Sequence, residues 1–502
     1  MPVRFAGLLV LSLAFHLLAV VFSVGHFGAD EHYQILEFAR WKLTGDPSSV
    51  SALVEFRDQM RPWMGPALAA GLIRFFGLFG IQNPTTWAML LRGFAGTLGF
   101  LSQLVLLKSW FRTPEGLETS DRDRRMAWGV AFLFCYMPVF HARFSSEGLA
   151  ASFIALGLAA ISELQSKASG GSKSRERLLA AATGAAFAMA FEFRFQAAIA
   201  ALGCAAWWLY QPRISKKLLW SATLGAVTIF AFGRGIDSWG YGAWVFTPWQ
   251  YVKTNFLSGY FESFGRQPFW HYFVMSFTET WPPFGTLLLV GSIAGVALRP
   301  RSVLAWVFLP FFVAHCFMGF KALRFLFPLI PLAPLLLVPV FAVFKTTRLI
   351  RVLWGMLMVW NAIALAALSL APASRGTLLY APVATYLASH PDQKTIYWWG
   401  GEEPYAQSGG WQFFYRPVGV ALKKVATCDE YQTDFKPREP RESQTSLTGE
   451  SLFWISAPRV PSACTFGCRK LASTLPLGVE WVTSKIPGLA TRLREQSVWA
   501  CH

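Results

Sequence analysis

The sequence predicts an all-α polytopic membrane protein that ends in a small α/β domain, and three observations support this fold class. Hydrophobic residues make up 54% of the 502 residues and charged residues only 15%, whereas ordinary soluble domains carry roughly 25% charged residues. Apolar runs of about 20 residues, the length that spans a bilayer as a helix, recur from the N-terminus to residue 371. After residue 371 the chain becomes polar.

The net charge of +17 does not indicate nucleic-acid binding, because the basic residues lie in short clusters between apolar runs. Such clusters are typical of cytoplasmic loops. They fall at Arg112–Arg125, Lys167–Arg177, Arg213–Lys217, Arg299–Arg301 and Lys345–Arg351. If all of them face the cytoplasm, the chain has about 11 transmembrane helices, with the N-terminus inside and the C-terminus outside.

These helices define a predicted transmembrane domain over residues 1–371. Its spans are expected at 5–24, 84–107, 127–141, 148–164, 179–193, 196–211, 218–233, 272–298, 303–319, 325–344 and 352–371. We expect residues 5–24 to be a retained span and not a cleaved signal peptide, because the preceding basic region contains only Arg4.

Two stretches of the first outer loop are predicted to be interfacial helices. Counting residues 63–80 as a full span would place every later basic cluster outside, and the stretch is short, glycine-rich and interrupted by Arg74. Residues 33–44 have the helical spacing of apolar positions.

Charged residues gather on the outer side of this topology. Asp30 and Glu31 follow the first span directly, and in hydrocarbon each would cost a few kcal/mol or more. At the mouth of a membrane cavity they are candidate acid/base groups. The other outer charges are Glu37, Glu55, Arg57, Asp58, Arg61, Arg143, Glu147, Glu192, Arg194, Arg234, Asp237, Lys321 and Arg324. One site built from several loops explains them together.

Residues 234–271 form a long aromatic outer loop in this prediction, which includes Trp270 and His271. An interfacial aromatic belt accounts for such a composition. The alternative is that the loop stacks on sugars and covers a lipid donor as a lid.

Residues 372–502 are predicted to form an extracytoplasmic α/β domain. Strand-like runs lie at 395–399, 452–456 and 479–483, and a helix-like stretch lies at 382–389. Four of the seven cysteines are here, which allows three disulfide pairings in an oxidising compartment. They are Cys428, Cys464, Cys468 and Cys501. A zinc site is the weaker alternative, because the Cys464–Cys468 spacing has no second matching pair.

The first loop resembles a motif of the polyprenyl-phosphate-mannose-dependent α-mannosyltransferases of the GT-C superfamily. That motif is Pro-Asp-Glu followed, after two intervening residues, by Gln. In FGADEHYQILEFA the residues Asp30, Glu31 and Gln34 match, and Ala29 replaces the proline.

Further segments over residues 1–345 are similar to the same family, and to its GPI-anchor and N-glycan enzymes in particular. VEFRDQMRPWMGP matches through Glu55, Arg61 and Trp63, and HARFSSEGLA through Arg143 and Glu147. The long loop resembles that of the third GPI-anchor mannosyltransferase, including Trp270. FKALRFLFPLIP retains Lys321 and Arg324 but has Phe320 and Ala322 where the family has His and Glu, which leaves the acceptor open.

The resemblance implies transfer of mannose from a polyprenyl (dolichyl-type) phosphate to a glycan or glycolipid acceptor, with inversion. Inversion needs a base opposite the leaving phosphate, and we assign Asp30, with Glu31 as its orienting partner or in exchange with it. The leaving phosphate needs cations, which are Lys321, Arg324, Arg194 and Arg234. We expect no metal or other cofactor. The predicted acceptor- and sugar-binding residues are Gln34, Glu55, Arg61, Trp63, Arg143, Glu147, Trp270 and His271.

Each assignment has a structural alternative. Asp30 and Glu31 would also suit the first turn of a helix that starts near Tyr33. Glu55 and Arg61 would also form a loop salt bridge, and Lys321 and Arg324 would also snorkel at a helix end.

Two other functions fit less well. A neighbouring GT-C enzyme, such as a protein O-mannosyltransferase or an arabinosyl- or glucosyltransferase, also has acids in its first loop, but the Gln34 and Arg61–Trp63 pattern favours the first assignment. A transporter or lipid flippase would have midplane charges, whereas the charges here gather at one face. The predicted location is the endoplasmic reticulum membrane or a bacterial inner membrane, in contact with membrane lipids.

Overall fold

The computed structural model describes residues 5–166, 172–212, 214–343, 347–401, 403–407, 410–425, 451–456, 468–475 and 496–501. The chain divides into two compact units. The first comprises Met1–Ser23, Val50–Phe75 and Met89–Ala371. The second comprises Val24–Ser49, Phe76–Ala88 and Pro372–His502.

The first unit is helical, as predicted. Within the described residues, five helical stretches are long and apolar enough to cross a membrane: Pro84–Trp110, Ser146–Gln165, Leu218–Tyr241, Leu323–Val343 and Arg348–Leu370. Shorter apolar helices are Ala6–Phe22, Met64–Gly77, Ala197–Tyr210, Phe284–Leu298 and Val303–Phe317. The other helices are Val54–Arg57, Pro114–Leu117, Asp121–Leu133, Met137–Ala142, Lys173–Phe193, Thr247–Val252, Lys253–Leu257, Tyr260–Phe264 and His271–Thr278. The prediction of a polytopic α-helical membrane protein is confirmed.

Local sequence explains where these helices start and how closely they pack. Ser145 caps Ser146–Gln165, because its hydroxyl accepts the Gly148 N–H at 3.0 Å. Lys173–Phe193 packs directly on Leu218–Tyr241, where a side chain at Gly184 or Gly225 would collide with the backbone of the other helix. Such backbone approach between apolar helices is the reason for glycine at both positions.

Two predicted spans are interrupted and one is longer than expected. The 127–141 span is broken between Leu133 and Met137, and the 272–298 span is broken between Thr278 and Phe284, where consecutive prolines cannot continue a helix. Span 218–233 continues to Tyr241. Arg234 and Asp237 therefore lie within a helix and not in the outer loop that the sequence predicts.

The second unit contains the first part of the first loop, Val24–Ser49, and the C-terminal domain. The loop is helical from Ala29 through a π-helical turn, His32–Leu36, to Glu37–Thr44, with a 3₁₀ turn at Pro47–Ser49. The helix predicted at 33–44 is confirmed and begins four residues earlier than predicted. The C-terminal helices are Gly376–Leu379 and Tyr380–Ser389.

The C-terminal domain is built on a mixed sheet. The strands are β1 (Thr395–Gly400), β2 (Ala406–Gln407), β3 (Gly410–Trp411), β4 (Ala421–Lys424), β5 (Ser451–Ser456), β6 (Cys468–Ser473) and β7 (Gln496–Cys501). Within the described residues, the five-stranded sheet has the order β4-β1-β5-β7-β6. β1 is parallel to β4 and β5, and β7 is antiparallel to β5 and β6.

Two of the predicted strands are confirmed as β1 and β5, and the helix predicted at 382–389 is confirmed. The strand predicted at 479–483 lies outside the described residues. A disulfide joins Cys468 of β6 to Cys501 of β7. Of the pairings that the sequence leaves open, the structure therefore contains Cys468–Cys501. Cys428 and Cys464 lie outside the described residues.

Candidate active site

The acidic pair of the first loop lies on one helical turn, Ala29–Glu31. Glu31 is buried, whereas Asp30 is half-buried. Gly28 occupies the capping position with extended backbone angles, so the two acids lie inside the first turn and not at the cap. Gln34 is buried in the π-helical turn that follows. Asp30 is therefore the more accessible of the two candidate acids.

The C-terminal domain holds this loop within the second unit. The Tyr33 hydroxyl donates to the Gln407 carbonyl at 2.5 Å. The Gln407 side chain in turn donates to Tyr380 at 2.9 Å and accepts from Ser374 at 2.5 Å. Burial raises the pKa of Tyr33, which keeps this hydroxyl a donor at neutral pH. Sequence analysis missed these contacts, because nothing in the composition of residues 372–502 points to the first loop.

In the first unit, three predicted site residues converge. Arg194, which directly follows helix Lys173–Phe193, donates to Glu147 at 2.8 Å, and both side chains are buried. The Arg324 guanidinium approaches the same carboxylate at 3.6 Å and is 27% exposed. Both guanidinium groups lie against the Phe325 ring, at 5.1 and 5.4 Å from its centroid. The structure brings together a residue that the sequence assigns to the sugar or acceptor, Glu147, and two that it assigns to the donor phosphate, Arg194 and Arg324. Their roles stay predictions.

Arg234 has a different environment. Its guanidinium donates to Glu192 and to Asp237, each at 2.5 Å, and to the Thr247 hydroxyl. A side chain at Gly233 would overlap the Glu192 carboxyl group, so glycine permits this approach. Arg234 already pairs with two buried carboxylates, which favours a structural role over the predicted contact with phosphate.

The predicted Arg61–Trp63 segment packs against the same helix end. The Trp63 N–H donates to Asp237 at 2.7 Å, and its buried ring lies where a side chain at Gly240 would be. The Tyr241 hydroxyl accepts the Arg61 N–H at 3.2 Å and donates to the Arg61 carbonyl at 2.9 Å. Arg61 also pairs with Glu55 at 3.9 Å. The structure thus gives this motif a packing function, beside the sugar-binding function that the sequence predicts.

Lys321 is nearly fully buried, and its ammonium group donates to the carbonyls of Gln267 at 3.0 Å and Met318 at 2.6 Å. Gln267 also accepts the Lys321 N–H at 2.6 Å. Lys321 therefore links Gln267, near the end of the aromatic loop, to the turn that precedes Leu323. Burial lowers the pKa of Lys321.

The remaining predicted residues are spread over the first unit. Arg143 is buried and donates to the carbonyl of Ser23 at 2.8 Å and to its hydroxyl at 3.1 Å, which satisfies the C-terminal end of the first span. Trp270 is exposed and His271 is half-buried, next to each other at the start of helix His271–Thr278.

The chain is similar to known proteins in sequence and in fold. The model of the Alg9-like mannosyltransferase family matches residues 8–397. Mannosyltransferase APTG1 of Arabidopsis thaliana is 30% identical over 155 residues, which cover 27% of this chain and 26% of that protein. GPI alpha-1,2-mannosyltransferase 3 of Danio rerio is 27% identical over 96 residues, which cover 19% and 18%. The matches thus span about a quarter or less of these curated relatives.

Among solved structures, ArnT from Cupriavidus metallidurans bound to undecaprenyl phosphate shares the fold, with a TM-score of 0.56. The match covers 99% of this chain and 98% of that one at 13% identity. The family model spans well over half of the chain, and the fold similarity extends over nearly all of it. The chain belongs to the Alg9-like mannosyltransferase family.

Proposed function

We propose that this protein moves mannose from a β-linked polyprenyl-phosphate mannose to a hydroxyl of a glycan or glycolipid acceptor, and that it forms an α-mannoside. The observation that carries the proposal is the position of Asp30, a half-buried carboxylate on a helical turn a few residues after the first span, in a chain of this family. The reaction takes place on the lumenal or periplasmic side of the membrane.

Asp30 is the general base. It takes the proton of the acceptor hydroxyl while the oxygen attacks C1 of mannose. The bond between C1 and the phosphate oxygen breaks, and its electron pair leaves with the polyprenyl phosphate. Attack opposite the leaving group inverts the anomeric configuration. Glu31 is buried beside Asp30 and orients it or receives a sugar hydroxyl.

Arg194 and Arg324 are the proposed donor-phosphate ligands. A guanidinium has five N–H donors in a planar fork that matches phosphate oxygens, so pairing with Glu147 uses only part of its capacity. The partial exposure of Arg324 suits a group that binds a substrate. The similar fold of ArnT bound to undecaprenyl phosphate supports a polyprenyl-phosphate-linked donor.

The proposed chemistry runs without a metal ion. A phosphate leaving group needs no general acid, and preorganised cations stabilise its charge.

The test uses the full-length protein in lipid nanodiscs with radiolabelled β-mannosyl phosphoryl polyprenol, a panel of mannose-containing acceptors, and EDTA. The glucosyl donor serves as the matched control for the sugar. We expect transfer of mannose but not of glucose in the presence of EDTA, and release of the label by an α-specific mannosidase. Transfer of glucose at an equal rate, or a β-linked product, would contradict the proposal.

A further inference from the structure

Glu37 is fully buried in the first loop, although nothing in the proposed chemistry uses it. One of its carboxylate oxygens, Oε1, accepts two hydrogen bonds. His32 Nε2 donates at 2.6 Å, and the Phe414 N–H donates at 2.9 Å. A carboxylate oxygen accepts hydrogen bonds, so this contact needs the tautomer of His32 that has its proton on Nε2. A buried carboxylate therefore joins the first loop to the C-terminal domain within the second unit.

The contact between Glu37 and His32 depends on the π-helical turn. In a regular α-helix, residues five apart are rotated by about 140° and point to different sides. In the turn His32–Leu36, the Glu37 N–H bonds to the His32 carbonyl, which is the i→i+5 pattern of a π-helix. The main chain and the side chain of Glu37 thus close the same turn.

Neighbouring contacts fix both partners. The His32 ring stacks on Tyr415 with centroids 5.5 Å apart and an interplanar angle of 16°. The Ser49 hydroxyl donates to the Glu37 carbonyl at 3.1 Å. We call the set Glu37, His32 and Phe414 the loop clasp. It connects the π-helical turn to the C-terminal domain, and the hydrogen bond from Ser49 links the chain after helix Glu37–Thr44 to Glu37 as well.

We propose that Glu37 is a positioning residue that sets the direction of Asp30 through the loop clasp. The turn Ala29–Glu31 runs into the π-helical turn without interruption, so the shape of the π-helical turn determines where the Asp30 carboxylate points. Glu37 acts through His32 and the main chain and does not touch the substrate. The catalytic part of this inference rests on the proposed role of Asp30, whereas the structural part does not.

The structural part is tested by hydrogen–deuterium exchange of the full-length protein in nanodiscs. Glu37→Ala should speed exchange of the amides of residues 29–38 by about 10-fold or more, the effect of losing a buried hydrogen bond to a charged group. Glu37→Gln keeps an oxygen that accepts from Phe414 and should change exchange much less. Asp46→Ala is the matched control, because it removes the pair with Arg40 (3.0 Å) beyond the end of the same helix. Unchanged exchange of these amides in Glu37→Ala would contradict the claim that the loop clasp stabilises the first loop.

The catalytic part is tested by steady-state kinetics of the same variants. Glu37→Ala should lower kcat by about 10-fold to 100-fold, with little change in KM for the donor, and Glu37→Gln should restore most of it. His32→Ala should behave like Glu37→Ala, and the double variant should be no worse than either one, because both break one clasp. Equal loss in Glu37→Gln and Glu37→Ala would show that the charge itself takes part and would overturn the positioning role.

These two readouts separate the inference from the proposed function. If the wild type transfers no mannose, the proposed function fails, and the exchange experiment still decides whether Glu37 shapes the loop. If the wild type is active and Glu37→Ala loosens the loop without loss of kcat, the proposed function stands and the positioning role is refuted.

Discussion

Asp237→Asn should destabilise the protein strongly, although the two side chains have nearly the same shape. Asp237 is fully buried, accepts the Trp63 N–H at 2.7 Å and the Arg234 guanidinium at 2.5 Å, and also accepts from the Thr247 hydroxyl. Asparagine keeps one oxygen for Trp63. Its amide group then places two donors against the donors of Arg234 and Thr247.

The expected cost follows from burial. Removing one partner of a buried ion pair costs about 3–5 kcal/mol, because the remaining charge is left uncompensated. Glu192 still contacts Arg234 at 2.5 Å after the substitution, so we expect the lower end of that range, about 3 kcal/mol. For a chain of 502 residues, that corresponds to a fall in the unfolding midpoint of about 3 °C.

The assay is thermal unfolding of the purified protein in detergent, followed by tryptophan fluorescence. Glu262→Gln is the matched control, because Glu262 pairs with Arg266 at 2.5 Å while both side chains are 55% or more exposed. An exposed pair of this kind contributes at most about 1 kcal/mol, so its loss should barely move the midpoint. Equal shifts in the two variants, or an unchanged midpoint for Asp237→Asn, would refute the reasoning.

Three further predictions concern donor binding and the C-terminal domain. Arg324→Met should raise KM for the donor by about 10-fold or more, because it removes a charged hydrogen bond to the donor phosphate. Arg266→Met, at an exposed arginine of the aromatic loop, should leave KM unchanged, and equal effects of the two variants would contradict the assignment of Arg324. Lys321→Met should lower kcat more than it weakens donor binding, because it removes the hydrogen bond that holds the aromatic loop at Gln267. Steady-state kinetics and equilibrium binding of labelled donor measure the two effects, and a larger loss of binding than of kcat would support Lys321 as a phosphate ligand. Loss of the Cys468–Cys501 disulfide should lower the free energy of unfolding by about 2–4 kcal/mol, measured without reductant. We expect the same value for Cys468→Ser, Cys501→Ser and the double variant, and a double variant less stable than both single ones would contradict a bond between these two cysteines.

The membrane-spanning helices could be predicted because their physical cause is local. A run of about 20 apolar residues must satisfy its backbone internally in lipid, and this requirement leaves little choice but a helix. The positions of β1, β5 and helix Tyr380–Ser389 were readable for the same reason, since the period of apolar residues is a property of the segment itself.

The predicted end of the 218–233 span was wrong, because a charge after an apolar run was interpreted as the start of a loop, whereas the helix continues to Tyr241. Arg234 and Asp237 continue the helix, since each finds a partner that is far away in sequence. Arg234 contacts Glu192 on helix Lys173–Phe193, and Asp237 accepts the main-chain N–H of Trp63 in the first loop. Such compensation is invisible until both partners are placed.

The environment of the first loop was unpredictable for a similar reason. The motif around Asp30 could be recognised from neighbouring residues, but Glu37 depends on Phe414, almost 400 positions later. The π-helical turn has no local sequence signature here. Of the predicted site residues, Arg194, Glu147 and Arg324 converge in the structure. The catalytic roles of Asp30 and Glu31 stay predictions.

The most direct test of the central claim compares Asp30→Asn with the wild type in single-turnover mannosyl transfer, with Asp46→Asn as a control in the same loop. Our account predicts that Asp30→Asn loses more than about 100-fold in rate, the contribution of a general base, while labelled donor still binds and the unfolding midpoint is unchanged. Asp46→Asn should transfer mannose at the wild-type rate. A rate for Asp30→Asn within about 10-fold of the wild type would contradict the assignment of Asp30 as the base.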